Sequence, residues 1–225
     1  TNGKLTVDAV MEISAGLSGK ALPQGEPEKL VQSYLAASDD NNATFQVLKE
    51  AFGGQAFYTP AHKIPFSSKR KWGCISFAGS GSVFVGAPEK LMRKLPGELK
   101  QRLEEGCRVI IVGYVPMQWE DEAALPEEIQ PLYGVVLEDT IRENTRETLE
   151  FFHREGVDVK VISGDHVKTV SMIAKRAGLH RWKDAVDLST LGEDIDYEQI
   201  CQQYAVFARV TPGQKKELVC ALKRQ

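Results

Sequence analysis

Apolar and polar positions in the first half of the chain follow two different periods. Leu30, Val31, Tyr34 and Leu35 recur at i, i+1, i+4 and i+5, the spacing of one helix face. A stretch rich in Pro, Gly and Glu, residues 21–28, precedes them. A second helix is predicted over 43–52, stopped by Gly53-Gly54, since glycine takes the backbone shape that ends helices without penalty. From Lys71 the grammar changes. Trp72, Cys74-Ile75 and Phe77 lead into Gly79-Ser80-Gly81-Ser82, and Val83-Phe84-Val85 follow, which predicts a hairpin over 71–85. Helices over 88–94 and 96–105 and a buried strand over 108–115 complete an α+β module built on a mainly antiparallel sheet.

Residues 117–131 are acidic, hold two prolines and read as an exposed connection. Beyond them strands and helices alternate: strand 133–137, helix 143–155, strand 157–162, and helix 166–177 closed by Gly178. After an acidic loop over 184–196 come strand 205–208 and helix 212–223. Strict alternation predicts a parallel sheet with right-handed crossovers. The junction between the two grammars is placed near residue 128.

Composition narrows the function. A chain of 225 residues with net charge −3 and no basic stripe carrying interleaved aromatics argues against a nucleic-acid partner. Lys69-Arg70-Lys71 is the densest basic cluster, and alone would be a solvated turn. Cys74, Cys107, Cys201 and Cys220 show no C-x-x-C spacing and read as reduced structural thiols. No His lies at ligand spacing from them, so no metal site is expected. The most apolar run, 109–117, is interrupted by Gly113 and Pro116 and falls far short of the ~20 residues a membrane helix needs.

Two segments carry candidate chemistry. The apolar run Val159-Lys160-Val161-Ile162 stops at Ser163-Gly164-Asp165, which in a parallel sheet falls at the carboxyl end of a strand, where open α/β folds bind ligands. The segment Phe207-Ala208-Arg209-Val210-Thr211-Pro212-Gly213-Gln214-Lys215 gives a second strand, an Arg, a helix-starting Pro and a Lys in that helix's first turn. Hydroxyl, glycine amide and ammonium are groups that hold a phosphoryl oxyanion. Without further context, Ser-Gly-Asp is also an ordinary turn with Asp165 as helix cap, and Lys215 a solvated lysine.

In this order the segments resemble the P-type ATPases, cation pumps of the haloacid-dehalogenase-like superfamily. Thr1-Asn2-Gly3-Lys4-Leu5-Thr6-Val7 looks like the continuation of the phosphorylation motif DKTGTLT, with Thr1 as its last threonine. Phe66-Ser67-Ser68-Lys69-Arg70-Lys71 resembles the nucleotide-site segment, and Gly86-Ala87-Pro88-Glu89 the KGAPE motif. Gly106-Cys107-Arg108-Val109 is similar to a G-x-R-V segment, Asp139-Thr140-Ile141-Arg142 to DPPR, and Ser163-Gly164-Asp165 to TGD.

The resemblance implies a start of the phosphorylation-domain connection at 1–8, a nucleotide-binding domain at 9–128 and an incomplete Rossmann-like parallel α/β phosphorylation domain at 129–225. It implies that Phe66 stacks on adenine, that Lys71, Gly86 and Arg108 approach the nucleotide, and that Asp139 and Arg142 stand at the domain junction. It also implies that Ser163 donates to the phosphoryl group, Gly164 allows close approach, Asp165 lies near phosphates and metal, Lys215 neutralises charge and Arg209 lines the cleft. ATP and Mg²⁺ are the implied cofactors. Implied partners are the membrane helices, the actuator domain and the rest of the phosphorylation domain, at the cytoplasmic face of a membrane.

The reactive aspartate would sit six positions before Thr1 and the Mg²⁺-binding TGDGVND segment just after Gln225, so the chain alone is expected to be a soluble, inactive piece. Three departures thin the polar contacts. Val85 stands for the KGAPE lysine, Ser68 for an arginine, and Phe45 where many relatives carry a glutamate facing the adenine amino group. Weak ATP binding, high-micromolar to millimolar, is expected. A soluble haloacid-dehalogenase-like phosphatase and a non-catalytic nucleotide-binding module remain alternatives. The transported ion is not legible; calcium is the first choice from the motif style.

Overall fold

The computed structural model describes residues 4–13, 22, 25–192 and 194–224. The expected match at Thr1-Asn2-Gly3 and residues 21, 23 and 24 of the stretch 21–28 lie outside the described residues. The chain divides into two compact units, one comprising Gly3–Leu103 with Cys107–Glu138, the other mainly Asp139–Gln225.

The first unit is a six-stranded sheet in the order β1-β6-β5-β4-β3-β2. Its strands are β1 (Leu5–Glu12), β2 (Pro60–Ser67), β3 (Trp72–Phe77), β4 (Gly81–Gly86), β5 (Arg108–Val115) and β6 (Gln130–Asp139). β2 to β6 pair antiparallel in succession. Helices cover both faces, so side chains alternate between two cores. α1 (Glu26–Ala37) and α2 (Ala43–Phe52) bury Leu30, Val31, Tyr34, Phe45 and Leu48 against Ile75, Phe77, Val83, Val85 and Val112. α3 (Pro88–Leu91) and α4 (Gly97–Glu104) bury Leu91 and Leu99 against Trp72, Cys74, Phe84, Val109 and Ile111. Local chemistry fixes the helix ends. The Asn42 side chain accepts from the Phe45 N–H at 3.1 Å, and Gly53 closes α2 with φ 86°.

The second unit holds a three-stranded parallel sheet, order β7-β9-β8, from β7 (Val161–Ile162), β8 (Ala185–Asp187) and β9 (Val206–Ala208). α5 (Thr145–Arg154) and α6 (Val167–Ala177) contribute Leu149, Val167, Val170 and Ala174 to one core. α7 (Tyr197–Gln203) and α8 (Pro212–Leu222) contribute Ile200, Cys201, Leu218 and Ala221 to the other. The fold class is therefore the one expected: antiparallel sheet with helices, joined to a small parallel α/β sheet.

Several boundaries differ from the sequence reading. Strand 133–137, expected to open the parallel alternation, is instead part of β6 and pairs antiparallel with β5 from Arg108↔Leu137 to Tyr114↔Gln130. The run Val135-Val136-Leu137 is wholly buried because it feeds both cores of the first sheet. The change of unit thus falls at Asp139 rather than near 128. Residues 5–8 likewise belong to β1 beside β6, not to a connection into the parallel unit.

The acidic stretch 117–131 links β5 to β6 and is tied down by a buried pair of hydroxyls. Ser76 and Ser82 Oγ lie 2.7 Å apart and donate to the Trp119 and Met117 carbonyls at 2.9 and 2.6 Å. Among smaller differences, α3 ends at Leu91, β7 spans two residues, and the expected acidic loop 184–196 contains β8. Among the described residues no helix is long and apolar enough to cross a membrane.

Candidate functional site

One end of the six-stranded sheet gathers four of the expected residues. In β2 the register passes from Ile64↔Cys74 to Ser67↔Trp72, so Pro65 and Phe66 together face Gly73 in a β-bulge. The extra residue redirects the strand. Ile64 packs in the core beneath α3 and α4, whereas half-buried Phe66 packs beside Tyr34, Phe45 and Val85 on the α1/α2 face. Pro65 is tolerated here because a bulge frees a residue from ladder bonding. Gly73 is required: a Cβ there would lie 2.9 Å from the Phe66 nitrogen and 3.0 Å from the Tyr34 hydroxyl.

The turn after β2 fixes Lys71. Ser67 Oγ accepts from the Lys69 and Arg70 amides at 3.3 and 3.5 Å, and the Lys71 N–H donates to the Ser67 carbonyl at 2.6 Å. Lys71 takes the left-handed backbone, φ 65°, that favours glycine. Its carbonyl accepts from the Ala87 N–H at 2.9 Å, and a Cβ on Gly86 would stand only 2.6 Å from that carbonyl oxygen. The Lys71 ammonium donates to Glu89 at 2.8 Å, both side chains being half-exposed. Burial pushes the Glu89 carboxyl up, but the Lys71 and Lys90 charges and the hydrogen bonds outweigh it and hold the group below its usual range. Arg70 is spent on the scaffold: it donates to the Pro65 carbonyl at 2.5 Å and lies 5.4 Å over the Trp72 ring.

Arg108 opens β5 and is exposed, on the same sheet face as Ile110, Val112 and Leu137 and hence as Phe66. Val85 and Phe45 are each 2% exposed, so where the resemblance expects a lysine and a glutamate the core is apolar and buried. Ser68 is exposed in the turn.

The second cluster lies at the carboxyl ends of the parallel strands. Ser163 follows β7 and Arg209 follows β9, and backbone bonds knit the two loops. Ser163 N–H donates to Phe207 at 2.9 Å, Val210 N–H to Ser163 at 3.0 Å and Arg209 N–H to Asp165 at 3.0 Å. Ser163 Oγ accepts from the Asp165 amide at 3.2 Å, which turns the chain at exposed Gly164. Arg209 holds a left-handed φ of 52°.

α8 starts immediately after, with Thr211 and Gln214 in a reciprocal capping box and Lys215 exposed in the first turn. Strand ends and helix starts at one edge of a parallel sheet aim backbone N–H dipoles at the same region, which favours anions. Ser163, Gly164, Asp165, Arg209 and the helix bearing Lys215 are thus brought together. The cap of α6 is His166, whose Nδ1 accepts from the Lys168 N–H at 3.2 Å, and not Asp165.

Asp139 and Arg142 open the second unit. Asp139 ends β6 and its carbonyl accepts from Arg176 at 3.2 Å. Exposed Arg142 gives its carbonyl to the Thr145 N–H and hydroxyl at the start of α5. Asp187, which the sequence reading passed over, ends β8 at the same edge as Ser163 and Arg209. The Ser189 hydroxyl first, then its amide and the Arg209 and His166 charges, draw its carboxyl below the usual range. The signal was present in Ala185-Val186-Asp187, an apolar pair stopped by a carboxylate, but it is too short to stand out.

Among the described residues no three His, Cys, Asp or Glu side chains converge to hold a metal ion. Asp165, with Asp187 at the same sheet edge, suits the way Mg²⁺ is usually bound beside nucleotides, by one or two carboxylates with phosphate oxygens supplying other ligands.

No protein-family model matches the chain. A protein named probable cation-transporting ATPase exp7 of Streptococcus pneumoniae is 35% identical over 225 residues, covering 100% of this chain and 28% of its own length. The calcium-transporting ATPase CtpE of Mycobacterium bovis is 37% identical over 202 residues, 86% of this chain and 24% of its own. The chain belongs to the P-type cation-transporting ATPases. The Mycolicibacterium smegmatis CtpE agrees at 30% over 234 residues, 98% of this chain. The chain spans between 24% and 29% of the length of these P-type relatives.

Proposed function

We propose that the chain is the nucleotide-handling portion of an ATP-driven cation pump. The first unit is the nucleotide-binding domain and the second is part of the phosphorylation domain. In this reading adenine stacks on Phe66, an interaction worth ~1–3 kcal/mol, while Lys71, Gly86 and Arg108 guide the triphosphate. The observation that carries it is the bulge at Pro65-Phe66, which turns the aromatic toward the sheet face of Arg108, at the sheet end that also holds Lys71. Family membership supports the same assignment.

In the second unit, Ser163 Oγ–H donates to a phosphoryl oxygen, Lys215 and Arg209 offset its charge, and Asp165 would hold Mg²⁺. When bound, Mg²⁺ neutralises phosphate charge. In the parent pump an aspartate oxygen bonds to the γ-phosphorus as the bond to ADP breaks; water later cleaves the acyl phosphate. No Asp of this sequence precedes Lys-Thr-Gly, so these residues alone bind nucleotide without turning it over. The parent protein is proposed to work at the cytoplasmic face of a membrane, joined there by its membrane helices and actuator domain. Relatives named calcium-transporting favour calcium as the ion.

The test is an NMR titration of the chain with ATP to ~10 mM, the range expected for a millimolar dissociation constant. Amides around Phe66 and Lys71 shift, and Phe66→Ala abolishes the shifts. Unmoved signals in that region would remove the reading.

A further inference from the structure

Lys71 does not stand as a bare cation at the sheet end. Its backbone is clamped by the Ser67 carbonyl on one side and the Ala87 N–H on the other, with Gly86 pressed against it. Only the four-carbon stem can move. Glu89 is fixed just as firmly. It sits in the first turn of α3, which begins at Pro88 and is closed by the Lys90 and Leu91 amides donating to the Ala87 carbonyl at 3.0 and 3.2 Å. The same Ala87 binds Lys71 through its N–H, so carboxylate and ammonium share one backbone frame.

We propose that Glu89 is a resident competitor: its carboxylate occupies the Lys71 ammonium where a nucleotide phosphate would bind, and ATP enters by exchanging one anion for the other. The inference rests on the nucleotide reading of this sheet end and adds a regulator to it. Exchange is feasible because the pair is half-exposed, 54% and 55%, and solvent-accessible ion pairs hold together weakly. The carboxylate remains beside the incoming phosphate after displacement, so its charge opposes the ligand twice. Glu89 therefore sets the affinity low for anything that needs Lys71, and leaves untouched a ligand that needs only the aromatic shelf.

Calorimetric titration of the 225-residue chain with ATP and with adenosine tests this. Glu89→Gln is expected to tighten ATP about two- to fivefold, the scale of an exposed ion pair, and to leave adenosine unchanged. Glu89→Asp, which keeps the charge, should stay near wild type for both ligands, and Lys71→Ala should weaken ATP alone. Unchanged or weaker ATP binding in Glu89→Gln overturns the proposal, as does an equal shift for adenosine. Phe66→Ala serves as the separate control: if it leaves ATP affinity intact, the site reading itself fails, whichever way Glu89 behaves.

Discussion

At the scale of single residues, three backbones among the described residues pay for their positions. Lys71, Asn144 and Arg209 hold left-handed φ angles of 65°, 63° and 52°, a region costing about 1–2 kcal/mol for side chains other than glycine. Lys71→Gly is accordingly expected to keep or raise the thermal midpoint while weakening ATP binding; Lys71→Ile should lower stability by about 1–2 kcal/mol. Paired melting and titration experiments separate the two effects. A lysine in a strained turn directs attention to its end group, which the paired measurements test apart from its backbone. Gly86→Ala tests the same contact from the other side. Its Cβ would meet backbone at 2.6 Å, which cannot yield, so a loss of about 1–3 kcal/mol in urea unfolding is expected.

At the scale of elements, regular pieces with one clear period were legible and those serving two cores were not. α1 and α2 showed their apolar stripe and stop signals, and the 71–85 hairpin its turn glycines. β5 was recognisable as an apolar run. β6 was misassigned to the parallel alternation because Val135-Val136-Leu137 is buried on both sides, and burial on both sides looks the same in either sheet type. β2 escaped because Pro65 and the bulge break its alternation. The candidate phosphate loops were legible as motifs, yet their mutual bonding, Val210 to Ser163 and Arg209 to Asp165, depends on which strands are neighbours. No single-sequence pattern encodes that. The capping box at α8 makes an element-scale prediction: Thr211→Ala should cost about 1 kcal/mol, read by unfolding of the second unit.

For the whole molecule, titration and thiol access give two global readouts. In Asp158, burial pushes the carboxyl up, but Lys160 and Arg181 overcome it and hold it below the usual range. Glu89 is also depressed, by Lys71. A carboxyl depressed by folding contributes stability above its unfolded value, and that contribution is lost as pH falls through its lower folded value. Urea midpoints should thus be insensitive to these two groups from about pH 6 to 8 and fall once pH drops below ~4. Asp158→Asn should flatten the acid limb. Among the thiols, burial pushes Cys74 up to about 12, its hydrogen bonds to Ser76 and Ser82 only partly offsetting the rise. Cys74, Cys107 and Cys201 are buried and Cys220 is half-buried. Alkylation at pH 8 followed by mass spectrometry should label Cys220 first and spare Cys74 until unfolding.

The two-for-one pairing at Pro65-Phe66 also constrains how this sequence can drift. Because side chains in a strand switch sides at every step, the spare residue acts as a parity bit for the ring that follows it. Flattening the bulge with Pro65 kept would set Phe66 two regular steps from Ile64 and send the aromatic through to the side guarded by α3 and α4, whereas deleting Pro65 would leave it opposite Gly73 on its present side. Losing the two-for-one pairing, not losing a residue, would thus extinguish the proposed adenine platform without changing any residue proposed to contact the nucleotide.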